Sequence, residues 1–148
     1  MKELTKKKGI ILTSKDYKEN ARLLTILTED GLENAILRGA NKINSKNKKF
    51  TIIPVEVEYV RTISTLATFT EGYITNNFIN LKLDQNKSLI YLAIVEKILA
   101  FTDSIDDKLQ MYEFVNKILT LLDQTKYPIV VLYLSLIHIS EPTRQEAI

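Results

Sequence analysis

The sequence predicts an α+β protein in sequence order: a five-stranded β-barrel over residues 1–80, then an α-helical unit. Three observations predict it. Short β-branched and apolar runs recur between residues 9 and 74 with turn signals between them. From Asn86 the apolar spacing changes to that of a helix. Between the third and fourth runs lies a basic, Asn/Ser-rich stretch that suits a loop.

The first two strands are read at residues 9–13 and 22–28. Asp30-Gly31 then gives a hairpin signal, since Gly tolerates the positive φ of a tight turn. A return strand over 32–38 follows. Val55, Val57 and Tyr59 alternate with Glu56 and Glu58, the pattern of a half-buried strand, and Pro54 suits its first, unpaired position. The fifth run covers 66–74, with Gly72 marking a bulge or tight bend. Five short strands in so few residues need closure to hide their edges, and a small OB-type barrel provides it.

Leu89, Ile90, Leu92, Ala93, Ile94, Ile98, Leu99 and Phe101 make a helix apolar on nearly every side, as expected of one lying between other elements. Asp106 is placed to cap a second helix, with Met111, Tyr112, Val115, Ile118, Leu119 and Leu122 inside. Pro128 fits the first turn of a third. The expected division is an OB-fold domain over 1–80, a truncated helical domain over 81–134, and a non-native tail over 135–148. The tail string from Ser135 to Arg144 resembles translated adapter read-through and is excluded from functional reasoning. A helical unit cut there should leave apolar surface uncovered.

Composition narrows the function. Residues 1–80 hold 13 Lys/Arg against 9 Asp/Glu, whereas residues 81–148 hold 7 against 9, so the basic character belongs to the barrel half. The absence of cysteine excludes a disulfide frame and a thiolate zinc site in this chain. No signal-peptide core opens the sequence and the longest apolar run, around 129–134, is too short to span a bilayer, so no membrane association and a cytoplasmic location are expected. There is no P-loop, dinucleotide fingerprint, nucleophile elbow or histidine cluster. Glu29-Asp30 belongs to a hairpin turn and Asp106-Asp107 to a helix start, where carboxylates are favoured without catalysis. A non-enzymatic protein is expected.

The most informative stretch carries Arg38, Lys42, Lys46, Lys48 and Lys49 with no acidic residue among them. Solvated loops also contain lysine and asparagine, but a basic loop between strands of a small barrel offers phosphates a mobile positive edge. Lys15, Arg22 and Arg61, at strands or their ends, are further candidates for the backbone of a nucleic acid. Lys6-Lys7-Lys8 reads either as a second cationic arm or as a frayed terminus. Tyr17, beside Lys15 and Lys18, is the candidate for base stacking, while Tyr59 and Phe69 read as core. Gly39 is expected to serve backbone geometry where the chain leaves the strand.

The order of these motifs resembles a family. Gly9-Ile10-Ile11-Leu12, Tyr17-Lys18-Glu19-Asn20, Leu23-Leu24-Thr25-Ile26-Leu27-Thr28 and Asp30-Gly31-Leu32 resemble the opening of the bacterial recombination mediator family RecO. Arg38-Gly39-Ala40, the basic loop, Phe50 and Leu66-Ala67-Thr68-Phe69-Thr70-Glu71 keep the same order. The resemblance covers roughly residues 8–134 and is most specific over 17–40. It implies a DNA repair and recombination mediator that binds single- and double-stranded DNA through its OB domain and anneals complementary strands. It further implies partnership with RecR, single-strand-binding protein and RecA, whose loading the family promotes without nucleotide hydrolysis. The family's helical domain continues further and often carries a cysteine zinc module; this chain has no cysteine, so no cofactor is expected. Two other readings remain: a helical interaction scaffold with a structural barrel, and an RNA-binding OB protein.

Overall fold

The computed structural model describes residues 3–42 and 45–140, with side chains described through residue 138. Two compact units meet in sequence at Asn77 and Phe78. In the first, strands β1 (Leu4–Tyr17), β2 (Ala21–Thr28), β3 (Gly31–Leu37), β4 (Val55–Thr62) and β5 (Ala67–Asn76) close a barrel in the order β1-β2-β3-β5-β4. All neighbours are antiparallel except β3 and β5, which run parallel and pair only at Ala35–Ala67 and Ile36–Thr68. That order, with one short parallel contact, is an OB-type barrel.

β1 is longer than its apolar run because it serves two partners. Its first part, from Leu4 to Ile11, pairs with β4, and its later part, from Gly9 to Tyr17, pairs with β2. A register shift between Ile11 and Thr13 bends it around the barrel. Lys6, Lys7 and Lys8 are therefore strand residues opposite Val60, Tyr59 and Glu58, neither a free arm nor a frayed end. Pairing with β4 overrides the weak strand preference of lysine here.

The interior holds Ile11, Leu24, Ile26, Ala35, Leu37, Phe50, Val55, Val57, Tyr59 and Phe69. Tyr59 stacks on Phe69 at 5.0 Å between ring centroids, and Phe50 tilts onto Phe69 at 4.9 Å. Gly72 pairs with Tyr59, where an added Cβ would lie 2.9 Å from both Glu58 O and Phe69 Cζ. The neighbouring bulge falls at Thr70, since Phe69 pairs with Arg61 and Glu71 with Val60. Glu56, expected on the solvent face, is 9% exposed and accepts a hydrogen bond from Thr75 Oγ1 at 2.9 Å. The threonine donor offsets the cost of burying the carboxylate.

The second unit contains α1 (Ile79–Leu83), α2 (Gln85–Phe101), α3 (Lys108–Gln124) and α4 (Pro128–Ser140). Asp84 caps α2 by accepting from Lys87 N at 3.1 Å. Asp107, not Asp106, caps α3 by accepting from Gln110 N at 2.9 Å. The expected inner face of α3 is buried throughout. α2 departs from expectation: Tyr91, Ile94, Val95 and Ile98 are buried, but Leu89 and Leu92 are exposed. Being apolar all round does not supply a cover for every side. α4 likewise exposes Ile129, Tyr133 and Leu134. Of the segment read as a tail, residues 135–140 continue α4, and 141–148 lie outside the described residues. No described helix is long and apolar enough to cross a membrane.

Candidate nucleic-acid interface

The connection from β3 to β4 is built in two parts. Gly39 leaves β3 at φ 71°, a left-handed conformation that glycine adopts without steric cost. A 3-10 helix, Lys46–Thr51, then occupies the later half. Ser45 caps it by accepting from Asn47 N at 3.1 Å, and Asn47 Nδ2 donates back to Arg38 O at 3.0 Å. Phe50 drops from this helix into the barrel and is 2% exposed. The loop is thus anchored at its far end, because one aromatic side chain gains far more inside than in water.

Arg38, Lys42, Lys46, Lys48 and Lys49 are all exposed. Among the described residues none of the five makes an ion pair, and Lys49 Nζ lies 5.2 Å from the centre of the Phe50 ring. Asn41 ties the near end of the loop to the β1–β2 turn. Its backbone N donates to Asn20 O at 3.4 Å, and its Nδ2 donates to Asp16 Oδ1 at 3.1 Å and Ala21 O at 3.4 Å. These bonds tie the loop stem to Asp16, Asn20 and Ala21, in the segment that also carries Lys15, Tyr17 and Lys18. Lys18 and Asn20 hold positive φ values of 50° and 58°, and for lysine that conformation is uncommon. Lys18 Nζ stands 5.4 Å from the centre of the half-buried Tyr17 ring.

Two of the sequence candidates are engaged with the protein's own carboxylates. Arg22 donates from Nη1 to Asp16 Oδ1 at 2.6 Å, while Ser14 holds the rest of its guanidinium, with Nε to Oγ at 2.9 Å and Nη2 to O at 2.7 Å. The Arg22 hydrogen bond, then the Asn41 bond and the arginine charge, hold the Asp16 carboxyl below the usual range. Arg61 is not brought to the loop. It lies at the end of β4, opposite Thr5, with Nε 3.1 Å from Glu33 Oε2 near the start of β3. Lys7 Nζ reaches Glu33 Oε1 at 3.2 Å, and Tyr59 OH donates to Glu33 Oε2 at 2.5 Å. Burial first, then Glu33, push the Tyr59 phenol well above its ordinary range.

Glu33, Asp16 and Asn41 had no signal in the sequence beyond being polar near turns or within a strand. Their roles come from partners 25 or 26 residues away, which no local pattern reveals. Among the described residues no group of three or more His, Cys, Asp or Glu is placed to hold a metal ion.

A closed five-stranded OB-type barrel, carrying an anchored loop whose five cations make no ion pair among the described residues, defines a small β domain with an exposed basic loop. Residues 1–78 match the family described as Recombination protein O N terminal. That match spans more than half of the chain, and the chain belongs to the RecO family of DNA recombination and repair mediators. A search of curated proteins found no match.

Proposed function

We propose that this protein binds single- and double-stranded DNA along the β3–β4 connection and promotes annealing of complementary strands. Arg38, Lys42, Lys46, Lys48 and Lys49 contact phosphates, Lys15 extends the track along the β1–β2 turn, and Tyr17 stacks on a base. The single observation that supports this reading most strongly is that five cations stand exposed on one anchored loop without a described ion pair. Neutralising both backbones lowers the repulsion between two polyanions brought together, so one loop serves binding and annealing. Base pairing then supplies sequence specificity. The reaction needs no cofactor or bond-making residue.

Family membership supports the further steps: action in the cytoplasm with RecR and single-strand-binding protein, ending in RecA loading. Replacing the five loop cations by Gln tests the reading. Loss of oligonucleotide binding with an unchanged circular dichroism spectrum is expected. Unaltered affinity would instead favour a protein-binding scaffold, for which the exposed Leu89, Leu92 and Tyr133 offer apolar surface. Competition between DNA and RNA oligonucleotides decides which nucleic acid the loop prefers.

A further inference from the structure

Among the described residues, Arg22 is the cation near the loop stem that already holds an anion, through Asp16. Ser14 fixes two edges of the guanidinium, through Nε and Nη2, independently of any carboxylate. Only Nη1 turns to Asp16, whose side chain is 79% exposed. Asp16 Oδ1 simultaneously accepts from Asn41 Nδ2, so one carboxylate oxygen sits between an arginine and an amide donor. Arginine and amide N–H groups around an oxyanion are also what a phosphate oxygen requires. Exchanging one oxyanion for another leaves the charge on Arg22 balanced. An ion pair whose carboxylate is this exposed holds weakly.

We infer that Asp16 occupies, in the free protein, the place of a nucleic-acid phosphate on Arg22, making Arg22 a phosphate subsite that opens when a strand displaces the carboxylate. The inference rests on the nucleic-acid reading above and adds a residue-specific gate to it. Ser14 keeps the guanidinium aimed while the carboxylate leaves. Asn41 keeps the loop stem against the β1–β2 turn through Asn20 O and Ala21 O. A strand engaging Arg38 and Lys42 beside this turn would therefore meet a pre-aimed arginine.

The test is binding of a fluorescent single-stranded oligonucleotide across a salt series by wild type, Asp16→Asn, Glu19→Gln, Arg22→Gln and the Asp16→Asn/Arg22→Gln double variant. Glu19 is exposed on the same turn, and its removal reports the effect of losing any nearby negative charge. Asp16→Asn should tighten binding about two- to fivefold at low salt, the fold-change that a weak surface pair allows. It should also steepen the log–log salt slope by about 0.7. Glu19→Gln should do less, and the gain should vanish in the Arg22→Gln background. Equal gains from both carboxylate variants, a gain that persists without Arg22, or weaker binding by Asp16→Asn would each overturn the inference while leaving the loop reading intact. No binding by the wild type would overturn the loop reading and the gate together.

Discussion

Phe50 connects the barrel interior to the cationic loop, so truncating it tests both at once. The ring is 2% exposed and packs on Phe69 at 4.9 Å. Phe50→Ala removes about 150 Å² of buried aromatic surface, which at ~25 cal/mol per Å² amounts to about 4 kcal/mol. That lies within the roughly 3–5 kcal/mol typical of such truncations. It is a large part of the ~5–15 kcal/mol that stabilises a domain. The readout is amide hydrogen exchange in β4 (Val55–Thr62), which follows opening of the barrel. A loss of about 4 kcal/mol accelerates that exchange about a thousandfold. Because Lys48 and Lys49 immediately precede Phe50 on the same 3-10 helix, DNA affinity should fall as well. The salt slope should hold, since no charge is lost. Less than tenfold faster exchange would refute the anchoring argument.

Glu33→Gln keeps an acceptor for Tyr59 but, among the described residues, leaves Arg61, 17% exposed, without a countercharge, and Lys7 with only the exposed Asp30 at 3.4 Å. A cost of about 1–3 kcal/mol in urea unfolding is expected, and an unchanged midpoint would contradict it. Gly72→Ala places a methyl 2.9 Å from a backbone carbonyl and from the Phe69 ring, so a lowered melting temperature, worth about 1–3 kcal/mol, is expected. A gain in stability, the usual result of Gly→Ala at a relaxed site, would show that the strands yield. Asp16 is held below its ordinary range in the folded chain, so its stabilising effect is full above the unfolded value of about 3.9 and fades as pH falls through the lower folded value. Wild type and Asp16→Asn should therefore converge in stability on acidification, and a difference that stays constant below pH ~4 would count against the pairing.

Much of the fold could be read from local pattern. Leu24, Ile26, Val55, Val57 and Tyr59 announce their strands because burial on one face requires alternation, and the structure buries all five. The inner face of α3 was legible for the same reason at helical spacing. What stayed hidden is non-local. Lys6, Lys7 and Lys8 join β1 only because β4 pairs with them, fifty or more residues later. The short parallel contact between β3 and β5 has no sequence signature of its own. The choice between Asp106 and Asp107 as a cap rests on one residue of phase.

The charge of the candidate interface was equally plain in the sequence, since Arg38 and the four lysines lie close together there. Its geometry was not. Phe50, Asn41 and Ser45 give the loop its shape through a buried ring and hydrogen bonds that composition does not encode. Arg22 and Arg61 looked equivalent as isolated cations. The fold separates them: one stands by the loop stem on an exposed aspartate, the other by Glu33 near the start of β3.

The most direct measurement is the salt dependence of single-stranded oligonucleotide binding by the unaltered protein. With about four phosphates neutralised by the loop, log affinity should fall against log salt with a slope near −3. A slope indistinguishable from zero would contradict the claim that these side chains hold a nucleic-acid backbone.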